Sequence, residues 1–423
     1  MHDDLLSARE TRSKTIDSWL KQGHSCLVSI RANIPGEHKN ISEAYVIVRF
    51  FESLIRKKYT IVKHERFTSN DGPYTLISLD ESDYRKVKLE LIELEESEAL
   101  GRLVDLDLWT APDQLWSRDS VQMKPRTCFI CGDIAHHCIR SLKHSLDETL
   151  AFVQRITQEH LEKQMSILTK KAMMIELNLE DKFGLVTPSS TGSHDDMDYH
   201  LMIRAQRVII PYFVEMFRLG YGDFEIYNLF DLARPLGVKA EQAMLDETGG
   251  VNCYKGLIFI LGLILTSLGY TLKHQQDFNH VFTNIHQLTQ HLYDDFEQEP
   301  KSFGEKAFHE HRITGARGEA YLGLPSVHHA LHVIGNKTLT DELLRIILQQ
   351  IIRSTDDTVL LKRAGSFEAY TAIKKKVASL DVTQINQVKE FTREAIHQGL
   401  SFGGAADLLV ATIFLHEIEQ TYF

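Results

Sequence analysis

The chain has 423 residues and a net charge of −11, with 43% hydrophobic and 25% charged residues. This composition predicts a soluble globular protein of two or three domains, and the acidic balance argues against nucleic-acid binding. The polar start has no apolar signal region, and the longest apolar run, Leu257 to Leu268, is too short to span a bilayer. Five cysteines do not indicate a disulfide scaffold. We expect a cytoplasmic protein outside membranes.

Short strand-like runs alternate with helical patterns between about residues 25 and 108. The runs are CLVSIRA, YTIVKH, YTLISL and VDLDLW, and they predict an N-terminal mixed α+β domain. One long helical pattern without Gly or Pro follows, so we place the domain boundary near residue 160. Beyond about Leu150 the apolar residues recur at helical spacing. The sequence thus predicts two domains, 1–160 and 161–423, the second an all-α helical bundle.

A carboxylate pair stands out in the first domain, in the stretch GRLVDLDLW. On a strand, Asp105 and Asp107 share one face and lie about 6.6 Å apart, at roughly 3.3 Å per residue. Val104, Leu106 and Leu108 then face the core. Nucleotidyltransferases hold magnesium on a triphosphate with such a pair, so the domain is a candidate for a nucleotidyltransferase-like fold. The alternative is a solvated strand face.

A cysteine and histidine array follows the carboxylate pair. Cys128, Cys131, Cys138 and His144 have the spacing C-x2-C-x6-C-x5-H, which is compatible with tetrahedral zinc. The alternative is a helix whose small, buried cysteines are structural.

Five polar loops, each beside a helical pattern, distinguish the second domain. Each loop taken alone has a purely structural explanation, such as a tight turn, a helix-dipole partner or a surface ion pair. Together they predict one polar site, because carboxylates suit magnesium with substrate phosphates, while lysine and arginine suit the phosphates themselves. The candidate residues are His194, Asp196, Asp198, Asn252, Lys255, Arg317, Glu319, Asp357, Arg363 and Asp407.

The series GSHDDMD, TGGVNCYKG, TGARGEA, DTVLLKRAG and GGAADLL, from about Met173 to the end, resembles the triphosphoribosyl-dephospho-CoA synthase family. The resemblance implies that the 2′-hydroxyl of 3′-dephospho-CoA attacks C1′ of the ATP ribose and displaces adenine. His194, Asp196 and Asp198 would then serve magnesium and the reacting hydroxyl, with Asp407 as a second magnesium ligand. The sequence departs from the family pattern at four positions: Phe183, Thr187, Tyr254 and Val359.

The first domain, from about Asp17 to Ile156, resembles the apo-citrate lyase phosphoribosyl-dephospho-CoA transferases. The matching stretches are LVSIRANIPG, GRLVDLDLW with the following Ser-Arg, and the cysteine array. The resemblance implies that a serine of the citrate lyase acyl carrier protein (the γ subunit) attacks the α-phosphate of the precursor and pyrophosphate leaves. The aspartate pair would bind Mg²⁺. The implied phosphate contacts are Arg102, Arg118 and Arg126.

The two resemblances support each other, because one family makes the substrate of the other. They imply a bifunctional transferase that uses ATP, 3′-dephospho-CoA and Mg²⁺, with zinc as a structural ion. One alternative is the equivalent pathway for malonate decarboxylase, against which the three-cysteine array counts. The other is a catalytically silent module that binds a carrier protein, against which the intact charged loops count.

Overall fold

The computed structural model describes residues 2–292 and 303–423. The chain forms two compact units, Met1–Lys163 with Gln420–Phe423, and Gln164–Glu419. The division falls inside a single 33-residue helix, Leu146–Asn178, because the long pattern without Gly or Pro folds as one element.

The first unit contains five strands and the helices that cover them. Every strand expected from the sequence forms, and a short fifth strand completes a β-hairpin with the fourth. The elements are α1 His2–Lys21, β1 Leu27–Ala32, α2 Ser42–Lys58, β2 Ile61–Ser69, β3 Gly72–Leu79, α3 Tyr84–Ser97, β4 Val104–Ala111, β5 Gln114–Trp116, α4 Ala135–Ser141 and the start of α5, Leu146–Asn178.

The five strands form one antiparallel sheet in the order β2-β3-β1-β4-β5. Helix α1 packs on one face through Trp19, against Leu27 and Leu76. The alternate residues of β1 and β4, such as Ile30 and Leu106, are completely buried and point to the opposite face. The sheet is therefore a two-sided core, and any polar side chain on it must be paired or reach an open edge.

The second unit is helical throughout the part that the structure describes. Its helices are the end of α5, then α6 Tyr199–Gly220, α7 Ile226–Thr248, α8 Lys255–Lys273, α9 His280–Leu288, α10 Phe303–His311, α11 Gly315–Tyr321, α12 Pro325–Ile334, α13 Asp341–Ser354, α14 Thr358–Ala364, α15 Phe367–Ser379, α16 Ile385–His397 and α17 Gly403–Tyr422. The sequence prediction of an all-α second domain is confirmed.

Helix α8 is the central helix of this unit and contacts α6, α7, α9 and α11. It is long and apolar enough to cross a membrane, yet 78% of its most apolar window is buried inside the protein. The apolar run predicted as a buried helix is therefore a core element. Helices α6 and α8 approach closely at Gly220, where a Cβ would overlap the backbone of Thr266. The apolar composition of α8 reflects burial on most sides, and its two ends emerge at polar loops.

Candidate functional site

A cavity of about 840 Å³ lies in the helical unit, at the N-terminal end of α8. It is bounded by the loop before α6, the loop before α8, helix α14 and the first turn of α17. Six of the ten residues predicted for this unit line it: His194, Asp196, Asn252, Lys255, Arg363 and Asp407. Loops that lie far apart in the sequence thus line one cavity.

Asp407 is the half-buried carboxylate of this cavity, and it lies just past the first turn of α17. Within residues 2–292 and 303–423 no group donates a hydrogen bond to it. Burial, and then the nearby carboxylates of Asp357 and Glu176, hold the pKa of Asp407 well above its usual range. A carboxylate in this state is a good proton acceptor, because nothing in the described protein stabilises its charge.

His194 is oriented by hydrogen bonds at both ring nitrogens. Its Nε2 lies 3.0 Å from Ser401 Oγ, and a guanidinium N–H of Arg363 approaches its Nδ1 at 3.3 Å. Since arginine can only donate, Nδ1 accepts and Nε2–H donates, which assigns the neutral Nε2–H tautomer. Burial, and then Arg363, lower the pKa of His194. The ring therefore positions Arg363 at the cavity wall.

Three cations line the cavity: Lys255, Lys362 and Arg363. Lys255 pairs with Glu241 at 2.6 Å, whereas neither Lys362 nor Arg363 has a carboxylate within 4.0 Å among the residues described. Lys362 lies in the last turn of α14 beside Arg363; it belongs to the DTVLLKRAG motif but was not among the predicted phosphate contacts. Two uncompensated cations side by side favour a polyanionic ligand.

The start of α8 adds polar backbone to the same cavity. Asn252 Oδ1 accepts a hydrogen bond from the Lys255 N–H at 3.0 Å, so Asn252 holds the first turn of the helix. Gly256, the next residue, lines the cavity as well. The N–H groups of a helix N-terminus attract anions, and here a 19-residue helix begins at the cavity wall.

A buried ion pair that the sequence analysis missed lies at the cavity wall. Lys182 Nζ is 2.7 Å from Glu176 Oε1, and both side chains are almost completely buried. Glu176 lines the cavity, and its charge helps to raise the pKa of Asp407. No motif contains these residues, and their closeness to the polar loop that starts near Ser189 is the only sequence signal.

Three predicted carboxylates cap helices and do not line this cavity. Asp198 accepts from the Leu201 N–H at the start of α6. Asp357, which is buried, accepts from backbone N–H groups at the start of α14 and from the Ala405 N–H. Glu319 accepts from both the N–H and the hydroxyl of Ser326. Their contacts fix the loops around the cavity.

The four positions that depart from the family pattern are accommodated in different ways. Phe183 is completely buried and packs on Phe391. Tyr254 accepts a hydrogen bond from Gln206 at 2.8 Å, and it lines the cavity, as does Val359. Thr187 forms an isolated backbone bridge with Ser190.

Arg317, the remaining predicted residue, lines a second cavity of about 490 Å³ between α7 and α8. Its guanidinium lies 3.3 Å from Glu305. Lys255, Gly256 and Thr358 line both cavities, so the second cavity adjoins the first at the start of α8.

In the first unit, Asp105 and Asp107 lie on one face of β4, as the strand pattern predicts, with Leu106 buried between them. Arg31, opposite Asp105 in the register of β1, lies 3.3 Å from Asp105 and 3.6 Å from Asp107. Arg126 also pairs with Asp105. Burial, and then Asp105, raise the pKa of Asp107. Arg31 is part of a quoted motif but was not selected from the sequence.

The three predicted arginines lie at different distances from this pair. Arg126 bridges Asp105 and the buried Glu95. Arg118 pairs with Glu95 at 2.6 Å, and Arg102 donates to the Thr127 hydroxyl at 2.7 Å. Glu95 therefore links Arg118 to Arg126, which itself pairs with Asp105. Arg102 lies near the same group because its partner, Thr127, is the residue next to Arg126.

The four predicted zinc ligands, Cys128, Cys131, Cys138 and His144, meet in the first unit, with their ligand atoms all within 4.8 Å of one another. His144 Nε2 is buried without a hydrogen-bond partner in the described structure. Hydrogen bonds lower the thiol pKa of Cys128 and Cys131, while burial and the neighbouring thiols raise that of Cys138 to about 12. The donor set and the unpartnered nitrogen fit a tetrahedral metal.

Comparison with known proteins identifies two consecutive families in the chain. The apo-citrate lyase phosphoribosyl-dephospho-CoA transferase (CitX) family matches residues 2–160, and the ATP:dephospho-CoA triphosphoribosyl transferase (CitG) family matches residues 162–422. The chain is 31% identical to Protein CitXG of Haemophilus influenzae, over 97% of this chain and 94% of that protein. It is 30% identical to Protein CitXG of Leuconostoc mesenteroides, over 97% and 96%.

A shorter relative covers the second unit. A 2-(5″-triphosphoribosyl)-3′-dephosphocoenzyme-A synthase of Haemophilus ducreyi is 30% identical over 67% of this chain and 98% of its own length.

Proposed function

Because the chain belongs to the ATP:dephospho-CoA triphosphoribosyl transferase family and is related along its length to the CitXG proteins, we propose that its two domains, 1–160 and 161–423, catalyse consecutive steps. The chain is a bifunctional transferase that makes and attaches the prosthetic group of citrate lyase. The match of residues 2–160 to a citrate lyase transferase family favours citrate lyase over malonate decarboxylase. The second domain makes the precursor, and the first transfers it to the acyl carrier protein.

In the first step the 2′-hydroxyl oxygen of 3′-dephospho-CoA forms a bond to C1′ of the ATP ribose. The bond from C1′ to adenine breaks, adenine leaves with a proton, and the triphosphate stays on the sugar. Positive charge develops on the sugar, as in glycoside cleavage. The site must accept the hydroxyl proton, tolerate the cationic sugar and neutralise a triphosphate.

We assign proton acceptance to Asp407. Its carboxylate faces the cavity, receives no hydrogen bond from the described residues, and has a raised pKa, which favours transfer of a proton from the hydroxyl. The negative charge also lies where it can stabilise a cationic sugar. His194, held in its neutral form, positions Arg363.

Lys362 and Arg363 are the proposed triphosphate contacts, and Asn252 holds the first turn of α8. Asp196 is the carboxylate of the cavity that would hold magnesium together with the substrate phosphates, because one or two carboxylates with phosphates suit this ion. When bound, the ion supplies charge neutralisation for the triphosphate. A magnesium held by Asp196 and phosphate leaves Asp407 free to accept the proton.

In the second step the serine hydroxyl oxygen of the carrier protein forms a bond to the α-phosphorus of the precursor. The bond from the α-phosphorus to the bridging oxygen breaks, and pyrophosphate leaves. Asp105 and Asp107 would hold magnesium, and Arg126 and Arg31 are the proposed phosphate contacts once the ion neutralises the carboxylates. The two carboxylates on one face of β4 support a nucleotidyltransferase-like site.

Zinc is the proposed structural ion of the first domain, held by the three cysteines and His144 Nε2. The Nδ1 of His144 lies 3.5 Å from Glu148, which is the arrangement of a carboxylate that orients a metal-binding histidine. A bound ion would connect the segment before α4, through Cys128 and Cys131, to Cys138 in α4 and to His144 before α5. We further propose that the protein is soluble and cytoplasmic, since the one strongly apolar helix found among residues 2–292 and 303–423 is a buried core helix.

One observation carries the synthase assignment: six predicted polar residues from distant loops line one cavity. The test incubates the full chain with ATP, 3′-dephospho-CoA and magnesium. The expected result is adenine release together with a triphosphoribosyl product of matching mass. Folded protein that releases no adenine would overturn the assignment and would favour the silent carrier-binding module.

A further inference from the structure

The second cavity, between α7 and α8, has an apolar interior with a polar edge. Its apolar wall contains Phe230 and Val238 from α7, and Phe259 and Leu263 from α8. Gly237 lies in the same wall, where an added Cβ would lie 3.7 Å from Met216 Cε. The edge contains three cations and two carboxylates: Arg234, Lys255, Arg317, Glu241 and Glu305.

Charge pairing distinguishes this cavity from the first. Lys255 pairs with Glu241 at 2.6 Å, and Arg317 pairs with Glu305 at 3.3 Å. Two of the three cations of the second cavity are thus compensated and only Arg234 has no carboxylate partner, whereas two of the three in the first cavity, Lys362 and Arg363, have none among the described residues. A triphosphate is therefore better placed in the first cavity, and the second suits a ligand with less charge and more apolar surface.

The chemistry of the acceptor supplies such a ligand. 3′-Dephospho-CoA consists of an adenosine, whose 2′-hydroxyl reacts, a diphosphate, and a pantetheine arm with methyl, methylene and amide groups. When the reacting hydroxyl lies at Asp407, the diphosphate and the arm must leave the first cavity. The two cavities share Lys255, Gly256, Gly304 and Thr358, so the second cavity adjoins the first on this side.

We propose that the cavity between α7 and α8 binds the pantetheine arm of 3′-dephospho-CoA, with Lys255 and Arg317 at its diphosphate. This inference rests on the proposed synthase function of the second unit. The methyl and methylene groups pack on the wall formed by Phe230, Val238 and Phe259, and the amides meet the polar edge. The cavity thereby selects the coenzyme over a plain adenosine diphosphate, which has the same hydroxyl and diphosphate but no arm.

The test compares Val238→Asp with the matched control Lys239→Asp in the full chain. Val238 is exposed at 63%, so the substitution leaves the helical core intact while it places a charge in the apolar wall. Lys239 neighbours it on α7 but lines neither cavity. Calorimetry measures the binding of 3′-dephospho-CoA and of ADP, and adenine release gives KM for each nucleotide substrate.

Val238→Asp should weaken binding of 3′-dephospho-CoA by about tenfold or more, with unchanged ADP binding and unchanged KM for ATP. Lys239→Asp should change none of these. Gly237→Leu should act like Val238→Asp, because a Cβ there would lie 3.7 Å from Met216 Cε and a longer side chain would narrow the cavity.

If the wall variants weaken binding of ADP and of 3′-dephospho-CoA equally, or raise only the KM for ATP, the inference is overturned. Another part of the substrates would then lie in this cavity. Unchanged binding in both wall variants would overturn it too. A wild-type chain that releases no adenine would instead refute the proposed synthase function, so the two failures are distinguishable.

Discussion

The carboxylate of Asp407 lies directly against the α-carbon of Gly256, so that a Cβ on residue 256 would overlap Asp407 Oδ2. Asp407 lies just past the first turn of α17, and Gly256 is in the first turn of α8. Glycine at position 256 therefore lets the proposed proton acceptor reach the N-terminal end of the central helix. The starts of these two helices form part of the wall of the proposed synthase site.

Gly256→Ala should reduce kcat/KM for adenine release by about 100-fold, because the methyl group must displace the Asp407 carboxylate, and a shift of about 1 Å costs this much in rate. Adenine is measured by chromatography. The internal control is attachment of externally supplied precursor to the carrier protein, which should continue at the wild-type rate. Wild-type adenine release in this variant would show that the Asp407 position is unimportant.

Asp407→Asn should make the protein more stable than wild type, by an amount that grows as the pH rises. The folded-state pKa of Asp407 is raised, so ionisation destabilises the folded state between the ordinary aspartate range and that higher value. Asparagine does not ionise. The gain in the free energy of unfolding over wild type should therefore grow between the ordinary aspartate pKa and the raised pKa, and vanish at low pH. Thermal unfolding from acid to neutral pH measures it, at roughly 2–4 °C per kcal/mol.

A difference in thermal stability between Asp407→Asn and wild type that does not change with pH would show that the pKa of Asp407 is not raised in the folded state. Asp246→Asn is a suitable control, because Asp246 is an exposed residue of α7 whose loss of charge should leave the pH dependence of unfolding unchanged.

The purified full chain should contain about one zinc per molecule, and Cys128→Ser should lose it. The unpartnered His144 Nε2 and the three thiols are the physical reason. Metal analysis and thermal unfolding with and without a chelator are the measurements. Cys26→Ala should keep its zinc, because Cys26 is buried outside the cluster. A chain that contains no zinc and unfolds at the same temperature with chelator would refute the site.

The fold was largely predictable because its signals are local. Alternation in VDLDLW requires that Asp105 and Asp107 share a strand face, and the structure confirms it. Helical spacing likewise predicts α13 and α17. The short strand β5, Gln114–Trp116, has only three residues and gave no periodic signal.

The partners of the site residues were less predictable, because they depend on tertiary contacts. Arg31 reaches the carboxylate pair through strand register, and Glu176 and Lys182 form a buried pair near Asp407 that no motif contains. Sequence alone also could not separate carboxylates that face the cavity from carboxylates that cap helices. Asp407 and Asp357 looked equivalent, yet Asp357 accepts three backbone hydrogen bonds and Asp407 lines the cavity.

The central claim is that the two activities have separate sites. Asp105→Asn should reduce transfer to the carrier protein by orders of magnitude and leave adenine release intact, because a lost metal-ligand charge is worth several kcal/mol where pyrophosphate charge builds. Asp113→Asn is its control, since Asp113 is exposed in the β4–β5 turn.

The most direct measurement scores Asp105→Asn and Asp407→Asn for both adenine release and the mass gain of the carrier protein with supplied precursor. The account predicts a crossover: Asp105→Asn releases adenine but attaches nothing, and Asp407→Asn attaches supplied precursor but releases no adenine. If either substitution, in a folded protein, removes both activities or neither, the account of two separate sites is contradicted.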